Sequence, residues 1–463
     1  MGQPMLLGTL TASTAAIVLS ASEAQAKDAS EIAEIAQAIT VRIEGATQGS
    51  GVLIKKEGNR YTVLTAWHVI KDNLPEEEVG IITSDGKEHV WESKSLQRLG
   101  KVDMAVLTFK SKKNYQTASI GDIKKVKYQD QVYVAGFPLL DRGNLKFDSG
   151  EVVANAEVSI EQGYQLLYSN KTKPGMSGGV ILDKNGELVG IHGRGEVDEK
   201  VLSEKELIVK TGVNQGVPIT FYRLFNSGLP VVLNRENPTT ADDYFAQAKA
   251  SQGKDGRQQT VIRLINESLK IKPDNSAGYF LRAFTKFQLN KYQEAVFDYN
   301  LAIQFNPKDT SSYYNRGIAN NKLKNDRQAL IDFADAIEID ATYFLAYYAI
   351  GFTKQEMGRD NEAIENFNKA IEIDPNFVNA YYARGYSKQN LGENRSAIVV
   401  FDKAIQIDPG FSDAYHAGGV SYFNLRKFKI ACRYLKESTN LGNVEVKEYL
   451  NHSDGSWCRN MPN

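Results

Sequence analysis

Lys173-Pro174-Gly175-Met176-Ser177-Gly178-Gly179 sets a serine in a glycine-rich turn. Glycines let a chain turn tightly and aim successive N–H groups at one point. In this G-x-S-G-G setting the Ser177 hydroxyl is a candidate nucleophile, and the N–H groups of Gly175 and Ser177 are candidate oxyanion donors. A serine hydroxyl attacks only when a base takes its proton. His68, in Leu64-Thr65-Ala66-Trp67-His68-Val69-Ile70, is the candidate base. Asp103, in Val102-Asp103-Met104-Ala105-Val106-Leu107, is the candidate that holds the imidazole tautomer and stabilises the imidazolium. Asp72 and Asp85 compete for that third role, but neither precedes such an apolar run. The chemistry these types support is acyl transfer through a tetrahedral intermediate.

These residues need rigid elements around them. Short Val/Ile/Tyr-rich runs at Tyr61–Thr65, Val132–Gly136, Val180–Leu182 and Leu188–His192, separated by Gly, Asn and Asp turns, predict an all-β domain. After a stretch containing Pro230 and Pro238, the pattern changes to helical from residue 241. The predicted boundaries are an export signal at 1–26, a catalytic domain at 27–235, a linker at 236–240, a helical array with a capping helix at 241–450, and a tail at 451–463.

Residues 27–235 resemble the trypsin-like serine peptidases, particularly the bacterial group with the glutamyl endopeptidases and HtrA-like proteases. The likeness is carried by Gln48-Gly49-Ser50-Gly51-Val52-Leu53-Ile54, Thr65-Ala66-Trp67-His68, Asp103-Met104-Ala105-Val106-Leu107, Gly136-Phe137-Pro138, Gly175-Met176-Ser177-Gly178-Gly179 and Val189-Gly190-Ile191-His192. The chain order His, Asp, Ser is that of the chymotrypsin type. The resemblance implies two six-stranded β-barrels with the triad between them. It also implies that Thr172 and His192, at offsets similar to a threonine and histidine of glutamyl endopeptidases, line the primary specificity pocket. A donor pair there suits an acidic side chain, although a histidine on a strand is also an ordinary inward polar residue. Met176 departs from the aspartate of digestive proteases, so activation by pairing with a new N-terminus is not expected.

The second half repeats. Pro273, Pro307, Ala341, Pro375 and Pro409 are spaced 34 apart, as are Ala295, Ala329, Ala363, Ala397 and Ala431. Tyr299, Phe333, Phe367, Phe401 and Leu435 keep the same period. Such a period with small contact residues is the tetratricopeptide signature, an all-α superhelix of stacked helix pairs. The first unit is degenerate, with Val261 and Ser268 at the alanine positions. Phe280, Tyr314, Tyr348 and Tyr382, followed one turn later by Phe284, Phe352 and Tyr386, are expected either to line a peptide-binding groove or to belong to the core.

Across 463 residues the net charge is −1, which leaves no electrostatic footprint for nucleic acid or an anionic membrane. Five scattered histidines make no metal-ligand pattern, and no cofactor is expected. Met5–Ser22 is apolar and small, and Ala24-Gln25-Ala26 offers a cleavage site, so a periplasmic or secreted protein without a membrane span is expected. Met1-Gly2-Gln3-Pro4 lacks the basic residue of a usual signal, and an uncleaved anchor is the rival reading. Cys432 and Cys458 are either bridged or free. The function expected is a serine endopeptidase whose repeats recruit protein substrates or partners. A binding scaffold with an inactive peptidase fold, or an array that drives assembly, is the alternative.

Overall fold

The computed structural model describes residues 27–73, 79–139, 143–195, 213–234, 236–252, 254, 256–452 and 455–459. The expected signal at 1–26 lies outside them.

Helix α1 (Ala29–Ile39) opens with an Asp28–Glu31 capping box and buries Ile32, Ala36 and Ile39, one face at helical spacing. Strands β1 (Thr40–Glu44), β2 (Gln48–Glu57) and β3 (Arg60–Thr65) follow as an antiparallel meander. A single turn of helix, α2 (Trp67–Ile70), comes next, then β4 (Gly80–Ile82), β5 (Glu88–Val90), β6 (Gln97–Arg98) and β7 (Ala105–Lys110). They pair in the order β5-β4-β1-β2-β3-β7-β6. A bridge between Trp91 and Phe109 ties the β5 end back to β7 and curls this sheet on itself.

The second sheet is a closed six-stranded barrel. Its strands are β8 (Gln131–Gly136), β9 (Lys146–Asn155), β10 (Leu166–Tyr168), β11 (Val180–Leu182), β12 (Leu188–Arg194) and β13 (Asn214–Pro218), ordered β10-β13-β12-β11-β8-β9. Helix α3 (Thr220–Asn226) ends this half.

The array consists of paired helices: α4 (Ala241–Ser251) with α5 (Gln258–Ile271), α6 (Ser276–Gln288) with α7 (Tyr292–Phe305), and α8 (Thr310–Lys322) with α9 (Asp326–Ile339). Next come α10 (Phe344–Glu356) with α11 (Asp360–Ile373), α12 (Val378–Asn390) with α13 (Asn394–Ile407), and α14 (Ser412–Asn424) with α15 (Phe428–Asn440). Helices α16 (Val444–Asn451) and α17 (Ser456–Arg459) cap the stack. A disulfide between Cys432 and Cys458 pins the cap to α15. Close helix approach explains the sequence columns. A side-chain carbon at Gly317, Gly351 or Gly385 would come within 2.5–2.6 Å of the ring of Phe333, Phe367 or Phe401.

That packing corrects the groove expectation. Phe280, Phe284, Tyr314 and Tyr348 are core residues, each no more than 4% exposed. Tyr314, Tyr348 and Tyr382 meet Phe333, Phe367 and Phe401 at ring distances of 5.8, 5.7 and 6.0 Å. The shared 34-residue register aims the rings of each first helix at the aromatic column of its own second helix, not at a ligand. Tyr382 and Phe352 are half-buried, and only Tyr386 of the set is exposed.

The array is docked onto the second barrel. Phe245, Ala246, Val261 and Ile265 belong to one continuous apolar core with β-sheet residues such as Ala154 and Leu167. Asp243, 1% exposed, completes a capping box with Thr240 and accepts the Glu157 and Val158 N–H groups, both at 2.8 Å. Burial opposes its charge, but these N–H donors prevail and hold its carboxyl below the ordinary range. Asp243→Ala strands buried donors on both halves and is expected to cost about 3 kcal/mol. Denaturant unfolding monitors this, and a cost under about 1 kcal/mol would show that the cap does not join the halves.

Candidate active site

His68 sits on α2 immediately after β3, and Asp103 precedes β7, the strand paired with β3. Strand pairing thus brings residues 35 positions apart into contact. The Asp103 carboxylate accepts the His68 N–H at 2.9 Å and faces its Nδ1 at 2.7 Å. A third donor, the Tyr164 hydroxyl, bonds the same carboxylate oxygen that meets Nδ1. Asp103 is 1% exposed. Its burial alone would raise the carboxyl, but the His68 and Tyr164 hydrogen bonds outweigh it and keep the group ionised below the usual range. An ionised Asp103 selects the tautomer with its proton on Nδ1 and leaves Nε2 free to accept. Asp72 and Asp85 are not partners of His68: Asp85 is engaged with Lys113 and Thr83, and Asp72 lies against Lys71.

Ser177 lies in the turn between β10 and β11. Ser50 fixes that turn: its N–H donates to Ser177 O at 2.8 Å and its hydroxyl to Gly175 O at 3.1 Å. The same Ser50 oxygen accepts the Phe137 N–H at 2.8 Å. The Gln48–Ile54 and Gly136–Pro138 motifs therefore act as the bed on which the nucleophile turn rests. Gly175 and Gly178 have φ of +94° and +85°. A side-chain carbon on Gly178 would lie 2.1 Å from Ser50 O, so that position accepts glycine alone. Met176 is fully buried among Val134, Tyr168 and Ile181. The N–H groups of Gly175 and Ser177 have no acceptor among the described residues. They are the two donors an oxyanion requires. The Ser177 hydroxyl itself donates to Gly193 O at 3.0 Å.

Thr172, His192, Asn214 and Gly195 meet beside this turn. Thr172 donates to Asn214 Oδ1 at 2.6 Å. A carbon added to Gly195 would be 2.9 Å from Thr172 Oγ1, 3.7 Å from Asn214 Oδ1 and 3.9 Å from His192 Nε2, so a glycine keeps this space open. Burial drives His192 down to about 3, leaving a neutral ring. The Tyr168 hydroxyl, held protonated by complete burial, contacts His192 Nδ1 at 2.6 Å. If Nδ1 accepts, the proton sits on Nε2, the nitrogen that faces the open space.

Tyr164, Tyr168, Asn214 and Ser50 carry weight that motif reading had not assigned them. Tyr164 and Asn214 stand outside any local pattern: packing of the barrel against the first sheet brings in Tyr164, and strand pairing within the barrel brings in Asn214. Ser50 lies within a motif whose purpose appears only in three dimensions.

A curled β-sheet, a closed barrel and a Ser, His and Asp set between them define the chymotrypsin type of peptidase domain, here joined to a helical repeat array. Residues 49–191 match the family model described as the trypsin-like peptidase domain. Residues 285–324 and 355–392 match a TPR repeat model, and 378–411 match a tetratricopeptide repeat model. The chain carries a trypsin-like peptidase domain followed by tetratricopeptide repeats. Serine protease Do-like HtrA of Lactobacillus helveticus is 28% identical over 155 residues, covering 33% of this chain. The match spans 36% of that relative's length. Among solved structures, the crystal structure of MamA is 23% identical, with a TM-score of 0.33 over 36% of this chain and 96% of that one. YrrB, described as a TPR protein with an unusual peptide-binding site, is 18% identical, with a TM-score of 0.34 over 41% of this chain and 98% of that one.

Proposed function

We propose that this chain is an exported serine endopeptidase in which Ser177 attacks the scissile carbonyl, His68 moves the proton and Asp103 orients His68. The repeats hold protein substrates or partners. The observation that carries the reading is the ionised Asp103–His68 pair at 2.7 Å beside a turn with two unclaimed N–H donors. In the proposed sequence, Ser177 Oγ leaves Gly193 O, gives its proton to His68 Nε2 and bonds the carbonyl carbon. The Gly175 and Ser177 N–H groups take the oxyanion. His68 then protonates the departing amine, and water repeats the sequence on the acyl-enzyme. Export is supported by the Cys432–Cys458 disulfide, a bond that persists in oxidising compartments.

His192 and Thr172, whose hydroxyl turns from Asn214 Oδ1 to the ligand, are proposed to receive a carboxylate side chain. Because His192 is neutral in the empty pocket, preference for glutamate over glutamine follows ionisation of the substrate and stays flat from about pH 6 to 8. A preference near tenfold in kcat/KM is expected from a charge-assisted bond in a half-buried site. Matched glutamyl and glutaminyl peptides test it. A preference that decays as pH rises through 6.5 would instead require a protonated histidine.

One observation favours a second reading, a partner-binding scaffold with a latent site: the Ser177 hydroxyl is engaged by Gly193 O and not by His68. Digestion of an unfolded protein, with the new termini read by mass spectrometry, separates the two. The peptidase reading expects new termini after acidic residues, lost in His68→Ala. Intact protein under all conditions supports the scaffold.

A further inference from the structure

Next to the candidate triad lies a cleft of about 250 Å³ lined by Trp67, His68, Lys71, Arg98, Gln162 and Arg194, together with Asp103. Three of its lining groups are cations. The Arg98 guanidinium lies 5.2 Å from the centre of the Trp67 ring, and that of Arg194 lies 4.9 Å from the Tyr164 ring. Stacking on an aromatic face holds a planar guanidinium in place and reduces the freedom it loses on binding. Arg98 also donates to the carbonyls of Val102 and Lys101 at 3.2 and 3.3 Å, and Arg194 reaches Gln162 Oε1 at 3.5 Å. Each guanidinium has five N–H donors, so both keep donors for a ligand.

Neither arginine meets a carboxylate within ion-pair distance among the described residues. The acids nearby are committed elsewhere. Asp103 is buried against His68 and Tyr164, Glu161 pairs with Lys254 of the repeat array at 2.8 Å, and Asp72 sits 3.8 Å from Lys71. The result is a concave surface touching His68 in which Arg98 and Arg194 have no direct carboxylate partner among the described residues.

We infer that Arg98 and Arg194, with Lys71 at the rim, form a second acid-selecting subsite. It would bind the carboxylate of an aspartate or glutamate within about three residues of the scissile bond, in addition to the residue held by Thr172 and His192. This deepens the peptidase reading and rests on it. The preferred substrate is then a clustered acidic segment, and the selection is electrostatic, so it weakens with salt.

The test uses the full chain and peptides with one fixed acidic primary residue. Each neighbouring position carries either glutamate or glutamine. The wild type is expected to favour glutamate at one or two positions by roughly fivefold to tenfold in kcat/KM at low salt, with the ratio shrinking at high salt. In Arg98→Gln/Arg194→Gln the ratio falls toward one, while Arg98→Lys/Arg194→Lys retains part of it. Equal rates for glutamate and glutamine everywhere in the wild type, or a ratio unchanged in the glutamine double variant, overturn the subsite. Fluorescence anisotropy of the same labelled peptides on Ser177→Ala, with and without the arginine substitutions, reads the subsite without turnover. Absent hydrolysis with arginine-dependent acidic binding would sink the peptidase reading and leave the subsite standing. Hydrolysis with no arginine-dependent selection would do the reverse.

Discussion

Ser177→Ala is expected to lower kcat for peptide hydrolysis by about 10⁶, leaving only the acceleration that binding and the oxyanion donors supply. The substitution removes one hydroxyl whose hydrogen bond among the described residues is to Gly193 O at 3.0 Å. Loss of such a bond from a half-buried group costs about 1 kcal/mol or less of stability. The turn itself is held by backbone bonds from Ser50 and Gly178, which an alanine leaves in place. Activity and folding should therefore separate cleanly: unfolding midpoints close to the wild type, turnover gone. A residual rate within a hundredfold of the wild type would assign nucleophilic attack to another group.

Asp103→Asn is expected to reduce kcat by about 10⁴ with little change in KM. The carboxylate now accepts from the His68 N–H, the His68 ring and the Tyr164 hydroxyl. An asparagine has one acceptor oxygen and one donor amide at that place. The His68 backbone N–H can only donate, so the amide oxygen keeps the Oδ1 place and the amide nitrogen takes the Oδ2 place, which faces both the ring and the Tyr164 hydroxyl. That nitrogen then donates to Nδ1 and moves the ring proton to Nε2, where it faces the serine and cannot accept. The histidine remains present but in the wrong tautomer. Tyr164→Phe removes one of the three donors and should fall between this variant and the wild type. Measuring kcat for the three proteins on one peptide ranks them, and an Asp103→Asn enzyme within tenfold of the wild type would remove Asp103 from the proposed mechanism.

How much of this was legible before the fold was known depends on how local each signal is. The Gly175–Gly179 turn advertises itself, because the backbone conformation it requires is written in glycine. His68 and Asp103 could be named since each sits where an apolar strand run ends or begins, and β3 and β7 then pair directly. Tyr164 reaches Asp103 across 61 positions, between the barrel and the first sheet, and Asn214 reaches Thr172 across 42, within the barrel half. One chain offers no local mark for either. The helical columns show the opposite limit. Periodicity identified which residues share a helix face, and the repeats followed. It could not tell whether that face turned to the neighbouring helix or to solvent, so Tyr314 and Tyr348 stood between a groove and the core, and they fill the core. The disulfide was open for a similar reason: Cys432 and Cys458 are 26 residues apart, and only the packing of α17 against α15 makes their Cα atoms 5.1 Å neighbours.

The docking of the array also bears on how the halves work together. Lys171 adjoins Thr172 of the proposed primary pocket, and its ammonium bonds Asp340 of the array at 2.6 Å. Lys254 of the first repeat holds Glu161, next to Gln162, whose carbonyl accepts the Asp103 N–H at 2.7 Å. The array thus touches both loops that shape the candidate site. Its first helix also shares the apolar core of the barrels, so removal of residues 241–463 would uncover Phe245-facing surface and disturb the catalytic half itself.

The most direct test of the central claim is covalent labelling of the purified full chain with a fluorophosphonate probe, beside Ser177→Ala and Asp103→Asn. The proposed mechanism predicts stoichiometric phosphonylation of Ser177 in the wild type, none in Ser177→Ala and strongly slowed labelling in Asp103→Asn. A folded wild type that takes up no probe would contradict it and leave a latent peptidase fold carried by a repeat scaffold.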